Sequence, residues 1–397
     1  MGVAMRGVIL AGLGVLFVAA AAIALVPVLA PRQQAPATEV ALPASAAAPE
    51  VIEEKVQRIF AETIAATPAE AEQMLRNDVT PRTAFENCEV DGQAGFVLRS
   101  NCVTARSGYL TLSGDDIGIF AKIGRFENLS RVEIIGGQMA DLTALAAYPD
   151  LETLVLRDVA VADRTALAKM TGLRMLAVTG MADLDLSLLA GMKQLEDLGL
   201  YGLRAGDLAG ISGLAQLRVL TLRDARISDY SGLSGLTGLT LLNLSEADIA
   251  DTTPIADLPN LTQLVLYGTE VSDIGPLAGN AALTLLNLQQ TRITQIDALR
   301  GLQNLTDLEI DGTAVTDIAP LSGLTKLQQL DLHDTQITRI APLAALTELV
   351  DLNISGTGVT DLSPLEGLTR LSVLNITDLV VADLTPLAAM ERLRIKQ

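Results

Sequence analysis

A 22-residue repeat constrains this 397-residue chain more than any other feature of its sequence. A degenerate first unit, with Leu110, Leu112 and Ile117, fits the frame at 107–128, and a partial last unit begins at Leu393. Between them, twelve units follow one another without insertion or deletion. They begin at Leu129, Leu151, Leu173, Leu195, Leu217, Leu239, Leu261, Leu283, Leu305, Leu327, Leu349 and Leu371. Because one such unit cannot bury its leucines alone, the period predicts a stack of identical units sharing one core.

The unit has the consensus L-x-x-L-x-L-x-x-T-x-I-x-D-I-x-P-L-x-x-L-x-x, as in residues 305–326 and 327–348. This pattern resembles the leucine-rich repeat family, and its length and D-I-x-P-L segment resemble the internalin-like class. A phosphatase-regulating group of intracellular proteins has a similar unit. The resemblance covers residues 107–397. It implies a right-handed α/β solenoid with a parallel sheet on its concave side, acting as a non-enzymatic protein-interaction module.

The ninth position of the unit departs from the family, which usually has asparagine there. Threonine replaces it in repeats seven to eleven, at Thr269, Thr291, Thr313, Thr335 and Thr357. The other repeats have Gly137, Val159, Met181, Leu203, Ala225, Ala247 and Leu379. A threonine hydroxyl can take over part of the bonding to nearby backbone, whereas an apolar side chain cannot. The asparagine ladder of the family is therefore absent from this chain.

The thirteenth position is aspartate in ten of the twelve repeats, as at Asp273, Asp317 and Asp361. An aspartate there can accept hydrogen bonds from free N–H groups at the start of a short helix or 3₁₀ turn. The alternative is a calcium-binding ladder, but each aspartate is alone in its repeat and the spacing matches no calcium loop. Asp183 stands where isoleucine or valine belongs, which predicts a local irregularity in repeat three.

The N-terminus has the composition of an export segment. Residues 8–30 carry no charge, and as a helix they would reach about 35 Å, enough to cross a hydrocarbon core of about 30 Å. We expect residues 1–30 to be a signal anchor that spans the membrane once, with residues 31–397 in the periplasm or outside the cell. A signal peptide cleaved near Ala30 is the alternative, and it would give a secreted protein.

Three segments separate this export region from the repeat domain at 129–397. Residues 31–49 are rich in proline and alanine and cannot build a core, so we interpret them as a linker. Residues 50–79 have the apolar spacing of two short helices. Residues 80–128 would form an N-terminal cap for the array, because its first repeat needs a covered end.

The two cysteines, Cys88 and Cys102, lie within this cap. A loop of this size closes readily as a disulfide, and export would place it in an oxidising compartment. Two buried free thiols are the alternative. Oxidation state is therefore a test of localisation as well as of fold.

Charge and composition exclude several classes of function. Acidic residues outnumber basic residues 47 to 28, which argues against a nucleic-acid partner and against a polybasic membrane patch. One histidine and two cysteines exclude histidine-rich zinc sites, and we expect no cofactor or metal. His333 could serve as a general base, but no strained elbow or glycine-rich loop presents Ser355 or Thr377 as a nucleophile. We expect no enzyme.

The side chains at positions 3, 5 and 7 of each repeat should point away from the core. They would be free of packing, so binding residues would be found among them. Repeats two to seven place arginine and tyrosine in these columns, at Arg157, Tyr201, Arg223 and Tyr267. Repeats nine to eleven place acids and the histidine there, at Asp307, Glu309, Asp311, Asp331, His333 and Asp351. We interpret the face as a site for a protein or peptide, with an acidic end that steers a basic partner. A solvated face without a partner is the alternative.

Two other functions remain compatible with the sequence. The Ala-rich export region and stalk are typical of a bacterial envelope protein, which could act purely as a scaffold or spacer. A regulatory subunit like the phosphatase-binding group would instead require residues 31–397 in the cytoplasm with reduced cysteines. At the other terminus, Arg394 and Lys396 would discourage pairing at the open edge, although an unsealed end could also serve as a weak homodimer contact.

Overall fold

The computed structural model describes residues 87–90, 93–98 and 101–397. The predicted membrane segment at 8–30, the linker at 31–49 and the helices at 50–79 lie outside these residues. Within the described ranges, no helix combines the length and the apolar character needed to cross a bilayer.

The described chain begins with a small antiparallel sheet of three strands, β1 (Asn87–Val90), β2 (Gln93–Leu98) and β3 (Asn101–Thr104), with β2 in the middle. Cys88 of β1 and Cys102 of β3 form a disulfide, with their Cα atoms 5.8 Å apart. The predicted disulfide is confirmed, and it ties together the first and last strands of this sheet.

The remaining strands follow the repeat. They are β4 (Tyr109–Leu112), β5 (Arg131–Ile135), β6 (Gln138–Asp141), β7 (Thr153–Arg157), β8 (Ala160–Asp163), β9 (Met175–Thr179), β10 (Asp197–Leu200), β11 (Arg204–Asp207), β12 (Val219–Thr221), β13 (Arg226–Asp229), β14 (Leu241–Asn243), β15 (Gln263–Val265), β16 (Leu285–Asn287), β17 (Asp307–Glu309), β18 (Gln329–Asp331), β19 (Asp351–Asn353), β20 (Val373–Asn375) and β21 (Arg394–Lys396). Among the described residues, fourteen strands form one parallel sheet in chain order, from β4 to β21 without β6, β8, β11 and β13. The parallel solenoid expected from the repeat is confirmed.

From β4 to β20, each strand of this sheet pairs with the strand of the next repeat in a fixed register. Leu308, for example, pairs with Leu330, which pairs with Leu352, which pairs with Leu374. The leucines at position 4 are almost fully buried, with exposed fractions of 0–2%. Since burying one leucine contributes about 1.5–3 kcal/mol, this repeated column supplies much of the stability of the fold.

The second part of each of the twelve units returns the chain through a short helix, except in repeat four, where residues 209–213 form turns. The α-helices are α1 (Ile119–Ile123) and α2 (Thr143–Ala146). The 3₁₀ helices are Gly114–Asp116, Thr165–Lys169, Leu186–Leu189, Ser231–Gly235, Thr253–Ile255, Gly275–Gly279, Asp297–Gly301, Ala319–Gly323, Ala341–Ala345, Ser363–Leu365 and Thr385–Leu387. Six of them have proline in their first two positions, where its missing N–H costs no helical bond.

The aspartates at position 13 start these turns, as predicted. In all ten repeats, the aspartate Oδ1 accepts a hydrogen bond of 2.7–2.9 Å from the backbone N–H two residues later. At Asp163, this bond from Thr165 lowers the pKa of the carboxyl below its usual value. The aspartates therefore have a structural role.

The threonines at position 9 bond to nearby backbone, as expected from their hydroxyl groups. In repeats seven to eleven, each threonine Oγ1 donates a hydrogen bond of 2.6–2.7 Å to the carbonyl three residues earlier. In repeats two to six, the apolar residues at this position are buried, with exposed fractions of 0–3%. The same turn is thus supported by a local hydrogen bond in one part and by packing in the other.

Repeat three interrupts a second, smaller ladder, as Asp183 led us to expect. Strands β6 and β8 pair in repeats one and two, and β11 and β13 pair in repeats four and five, but the repeat between them has no second strand. The side chain of Asp183 is exposed and pairs with Arg164 at 2.8 Å. A charge at this position turns outward because burying it unpaired would be costly.

Position 8 has a feature that the consensus does not reveal. In all twelve repeats its backbone is left-handed, with φ between +51° and +78°. The column contains glycine in six repeats and Asp, Glu or Gln in the others. Glycine has no Cβ to clash in this conformation, and a short polar side chain such as that of aspartate tolerates it better than most. The turn after every strand is therefore the same in shape.

The N-terminal end of the array follows the repeat frame, and the C-terminal end departs from it by one residue. Strand β4 of the degenerate unit pairs in parallel with β5 at the 22-residue offset, whereas β21 pairs in parallel with β20 with Arg394 opposite Val373, an offset of 21 residues. The degenerate unit at 107–128 is therefore a structural repeat.

Candidate functional site

The candidate site is the face of the long sheet that points away from the core. Positions 3, 5 and 7 alternate with the buried leucines, and the fixed register stacks equivalent positions of successive repeats into three columns. All ten residues proposed from the sequence fall in these columns. Neighbouring strands in a sheet lie about 4.8 Å apart, so side chains of the same column contact one another.

The first group of these residues, Arg157, Tyr201, Arg223 and Tyr267, forms what we call the Tyr/Arg end. Both arginines are already paired: Arg157 with Glu133 at 3.0 Å and Arg223 with Glu246 at 3.1 Å. Burial lowers the pKa of Arg157 and raises that of Tyr201. The tyrosines and arginines at this end are therefore partly engaged within the protein.

Asp197, which the sequence analysis did not single out, is buried at this end with an exposed fraction of 2%. It lies between Met175 and Val219 in the sheet, and neither of its carboxyl oxygens has a hydrogen-bond partner among the described residues. Burial, and then the charge of Glu196, raise the pKa of Asp197 to about 8. Position 3 of the two neighbouring repeats is apolar, and an aspartate among apolar residues in that column is the sequence signal that could have identified it.

The second group, Asp307, Glu309, Asp311, Asp331, His333 and Asp351, forms what we call the acidic end. Among the described residues, positions 3, 5 and 7 of repeats eight to twelve contain no lysine or arginine. Burial, followed by repulsion from the neighbouring aspartates, raises the pKa of Glu309 to about 8. Burial also raises the pKa values of Asp307 and Asp351. The structure thus brings all six predicted residues together on three adjacent strands.

His333 lies between two of these carboxylates. Its Nδ1 is 2.7 Å from Oδ1 of Asp331, and its Nε2 is 3.5 Å from Oδ2 of Asp311. The hydrogen bond with Asp331 raises the pKa of His333 to about 9. Burial and the charge of Asp331 raise the pKa of Asp311 to about 7, against the opposing effect of His333. The imidazole is therefore the positive charge of this end at neutral pH.

The acidic end lacks the arrangement that nucleophilic catalysis requires. The Ser355 hydroxyl donates to Oδ1 of Asn353 at 2.7 Å, and the Thr377 hydroxyl donates to Oδ1 of Asn375 at 2.8 Å. Within the described residues, neither hydroxyl bonds to His333. A nucleophile needs a base within hydrogen-bond reach, and here each hydroxyl is bonded to an amide oxygen.

One donor set in the acidic end has the composition of a metal site. A carboxylate oxygen of Asp311, one of Asp331 and a ring nitrogen of His333 all lie within 4.8 Å of one another. One histidine and two cysteines argued against a metal. The spacing is the signal that could have indicated the donor set, because residues 22 apart occupy equivalent positions on adjacent strands.

The prediction that these columns are free of packing is wrong in part. Asp311 and Ser245 have exposed fractions of 4% and 3%, and Val155 and Val265 have 1% each. The close side-by-side stacking of strands lets neighbours cover one another, most of all in the central column. The accessible surface is therefore narrower than the sequence predicts.

Comparisons with known proteins agree with this architecture. Residues 303–345 match the family described as leucine-rich repeats in two copies. The structure is similar to that of an internalin (inlF) from Listeria monocytogenes, with a TM-score of 0.65 and 27% identity over 75% of this chain and 89% of that chain.

More distant structures share the fold alone. A leucine-rich repeat protein of Leptospira interrogans has a TM-score of 0.64 and 19% identity, over 72% of this chain and 76% of that chain. The plant peptide hormone receptor RGFR1, in complex with RGF2, has a TM-score of 0.51 and 15% identity, over 79% of this chain and 67% of that chain. No curated protein sequence matches this chain.

Proposed function

We propose a function from one premise: this chain belongs to the leucine-rich repeat family, with repeats of the internalin-like class. Leucine-rich repeat proteins of this kind are generally protein-interaction modules. The function that we propose is binding of a protein or peptide on the concave side of a right-handed solenoid, through positions 3, 5 and 7 of the strands. The observation that carries the proposal is the acidic end, where five carboxyl groups and His333 lie on adjacent repeats, and where positions 3, 5 and 7 of repeats eight to twelve hold no lysine or arginine.

The acidic end favours a partner with a basic surface. Burial and mutual repulsion raise the pKa values of Glu309 and Asp311 to about 8 and about 7, which means that their ionised forms lack enough compensating positive charge within the protein. A basic partner would supply the missing positive charge, and long-range attraction would speed its approach. At the Tyr/Arg end the arginines already have acidic partners, so Tyr267, which remains partly exposed, is the better contact residue there.

We further propose that residues 31–397 act outside the cytoplasm, anchored through residues 8–30 or released after cleavage near Ala30. The disulfide between Cys88 and Cys102 supports this proposal, because such bonds persist in oxidising compartments and are rare in the cytosol. Alkylation of free thiols in intact cells tests it. We expect both cysteines to be protected until a reductant is added, and reaction without reductant would favour the phosphatase-regulator-like alternative.

Site-specific crosslinking in intact cells tests the binding face. A photoreactive residue at Tyr267 or at Asp351 should capture the same partner, while one at Ser322, exposed on the 3₁₀ side of the array, should not. Equal capture from all three positions would contradict a binding site on the sheet.

The captured partner, once purified, allows a direct measurement of affinity. Asp307→Lys and Asp351→Lys should each weaken binding about tenfold or more at low salt, and added salt should reduce the difference. The control is Glu366→Lys, a charge reversal at an exposed position outside the strands. Wild-type affinity in both face variants would favour the scaffold alternative.

A further inference from the structure

We propose that Asp311, Asp331 and His333 form a binding site for a divalent transition-metal ion of the zinc or manganese class. Asp331 and His333 come from repeat ten, at the end of β18 and just beyond it, while Asp311 occupies the position in repeat nine that matches His333. Their donor atoms lie within 4.8 Å of one another. This inference does not rest on the proposed binding of a protein partner.

A buried oxygen without a partner points to a missing ligand. The side chain of Asp311 has an exposed fraction of 6%, and its Oδ1 has no hydrogen-bond partner among the described residues, although the carboxyl group has a hydrogen bond with the Gln289 side chain. Its Oδ2 faces Nε2 of His333 at 3.5 Å, too far for a good hydrogen bond. Buried carboxylate oxygens are normally bonded, because removing them from water without compensation is costly. A cation between Asp311 and His333 would satisfy this carboxylate.

The charge of the cluster favours a cation as well. Asp311 and Asp331 bring two carboxyl groups to one imidazole, and Asp307 and Glu309 on the adjoining strand add further acidic groups. A metal ion would lie between these carboxyl groups and the ring of His333, since imidazole binds metals in its neutral form.

The donor set indicates the class of metal. Imidazole nitrogen suits zinc and other transition metals, whereas calcium and magnesium prefer oxygen ligands alone. Ligands about 2.0–2.2 Å from zinc would lie about 3.4 Å apart, close to the 3.5 Å that separates Oδ2 of Asp311 from Nε2 of His333. Nδ2 of Asn353 donates to Oδ2 of Asp331 at 3.0 Å and so orients one ligand from outside the site.

The site would also be open on one side. The side chains of Asp331 and His333 have exposed fractions of 26% and 32%, so solvent reaches them. Three protein ligands leave at least one coordination position for water or for a group from another molecule.

Calorimetric titration of the full chain, prepared without a histidine tag and freed of metal by chelation, tests the site. Zinc chloride and manganese chloride are the probes, and we expect one ion of at least one of them per chain at neutral pH. His333→Gln and Asp311→Asn should each weaken binding about tenfold or more, while Asp150→Asn, at an exposed turn, should leave it unchanged.

The single histidine allows a second, independent readout. His333 is the only histidine in the sequence, so its ring gives one set of NMR signals. Zinc should shift these signals, and manganese should broaden them, in the wild type and in Asp150→Asn. The proposal is overturned if neither ion binds at millimolar concentration, or if binding is unaffected by His333→Gln. Because no protein partner is involved, either result leaves the proposed binding function to its own test.

Discussion

The two parts of the repeat array, repeats one to six (129–260) and repeats seven to eleven (261–370), build the same coil by different means. The first part supports its turns with apolar side chains at position 9 in all but the glycine-containing first repeat, and adds short second strands such as β6 and β8. The second part uses a threonine hydroxyl bonded to the backbone, and among its described residues no second strand is present. A fixed frame of leucines therefore tolerates two local solutions.

The surface chemistry of the sheet also differs between the two parts, with Tyr267 of the Tyr/Arg end lying just inside the second part. The first part has arginines paired with glutamates and one isolated buried acid, Asp197. The acidic end of the second part gathers its carboxylates around His333. Since the leucine frame is the same in both, the difference shows that the face columns vary independently of the core. Substitutions that act on one part and not on the other can test this separation.

The largest effect is expected where the two parts should not differ. Leu176→Ala in repeat three and Leu308→Ala in repeat nine remove equivalent leucines that are fully buried. Each should lower the free energy of unfolding by about 2–5 kcal/mol, through lost apolar burial and the cavity left behind. Urea denaturation followed by circular dichroism measures both. A loss below about 1 kcal/mol in only one of them would mean that the two parts do not share an equivalent core.

The buried acid of the first part should make stability depend on pH. The pKa of Asp197 is raised to about 8 from an unfolded value of about 3.9. Its contribution is therefore fully present below about pH 4 and is lost as the pH rises through about 8. Asp197→Asn should be more stable than the wild type at pH 8.5, by about 1–3 kcal/mol, and this advantage should shrink toward pH 4. Thermal melts across this range measure it, and an unchanged difference at all pH values would contradict the assignment.

The hydrogen bond from the threonine hydroxyl in the second part should make a moderate contribution to stability. Thr313→Val keeps the shape of the side chain and removes the bond from Oγ1 to the Ile310 carbonyl. We expect a loss of about 1 kcal/mol, the usual net value of such a bond. The reverse change, Val159→Thr, should also destabilise, because it buries a hydroxyl in apolar surroundings. If Val159→Thr left the free energy of unfolding unchanged, either kind of side chain would support the turn equally well. The difference between the two parts at position 9 would then have no effect on stability.

The smallest effect is expected at the aspartates that start the turns, which both parts share. Asp163→Ala and Asp317→Ala remove equivalent bonds to backbone N–H groups. Each should lower the melting temperature by about one or two degrees at pH 6. Because the pKa of Asp163 is lowered in the folded state, its contribution is present above about pH 4 and is lost as the pH falls. At pH 2.5, Asp163→Ala and the wild type should therefore have equal melting temperatures. Arg339→Asp, which adds the missing aspartate in repeat ten, should raise the melting temperature slightly at pH 6.

Much of the fold could be predicted from residues that repeat. The leucines gave the register, the aspartates at position 13 gave the turn starts, and Asp183 gave the irregular repeat, because each effect is local and recurs in the same frame. The left-handed backbone at position 8 recurs as well, and this position holds only Gly, Asp, Glu or Gln. The consensus writes it as x, so the restriction is not visible there.

The sequence predicted which residues the candidate site contains, but not how deeply they are buried or how they pair. Stacking of strands brought Asp307 and His333 to one end of the face, as expected from the frame. The burial of Asp197 and Asp311 was not predictable, since it depends on how large the neighbours in adjacent columns are and how closely they pack. The pairing of Arg157 with Glu133 likewise depends on side-chain reach between strands.

The constant register has a consequence for how the molecule can change in size. Removing residues 305–326 would join Asn304 to Leu327 and leave Leu330 opposite Leu286, as Leu308 is now. Every neighbouring coil would meet a surface of the kind it already meets. Whole units can thus be deleted or duplicated without changing the packing of the other units. Each such change alters the length of the sheet by one strand spacing, about 4.8 Å.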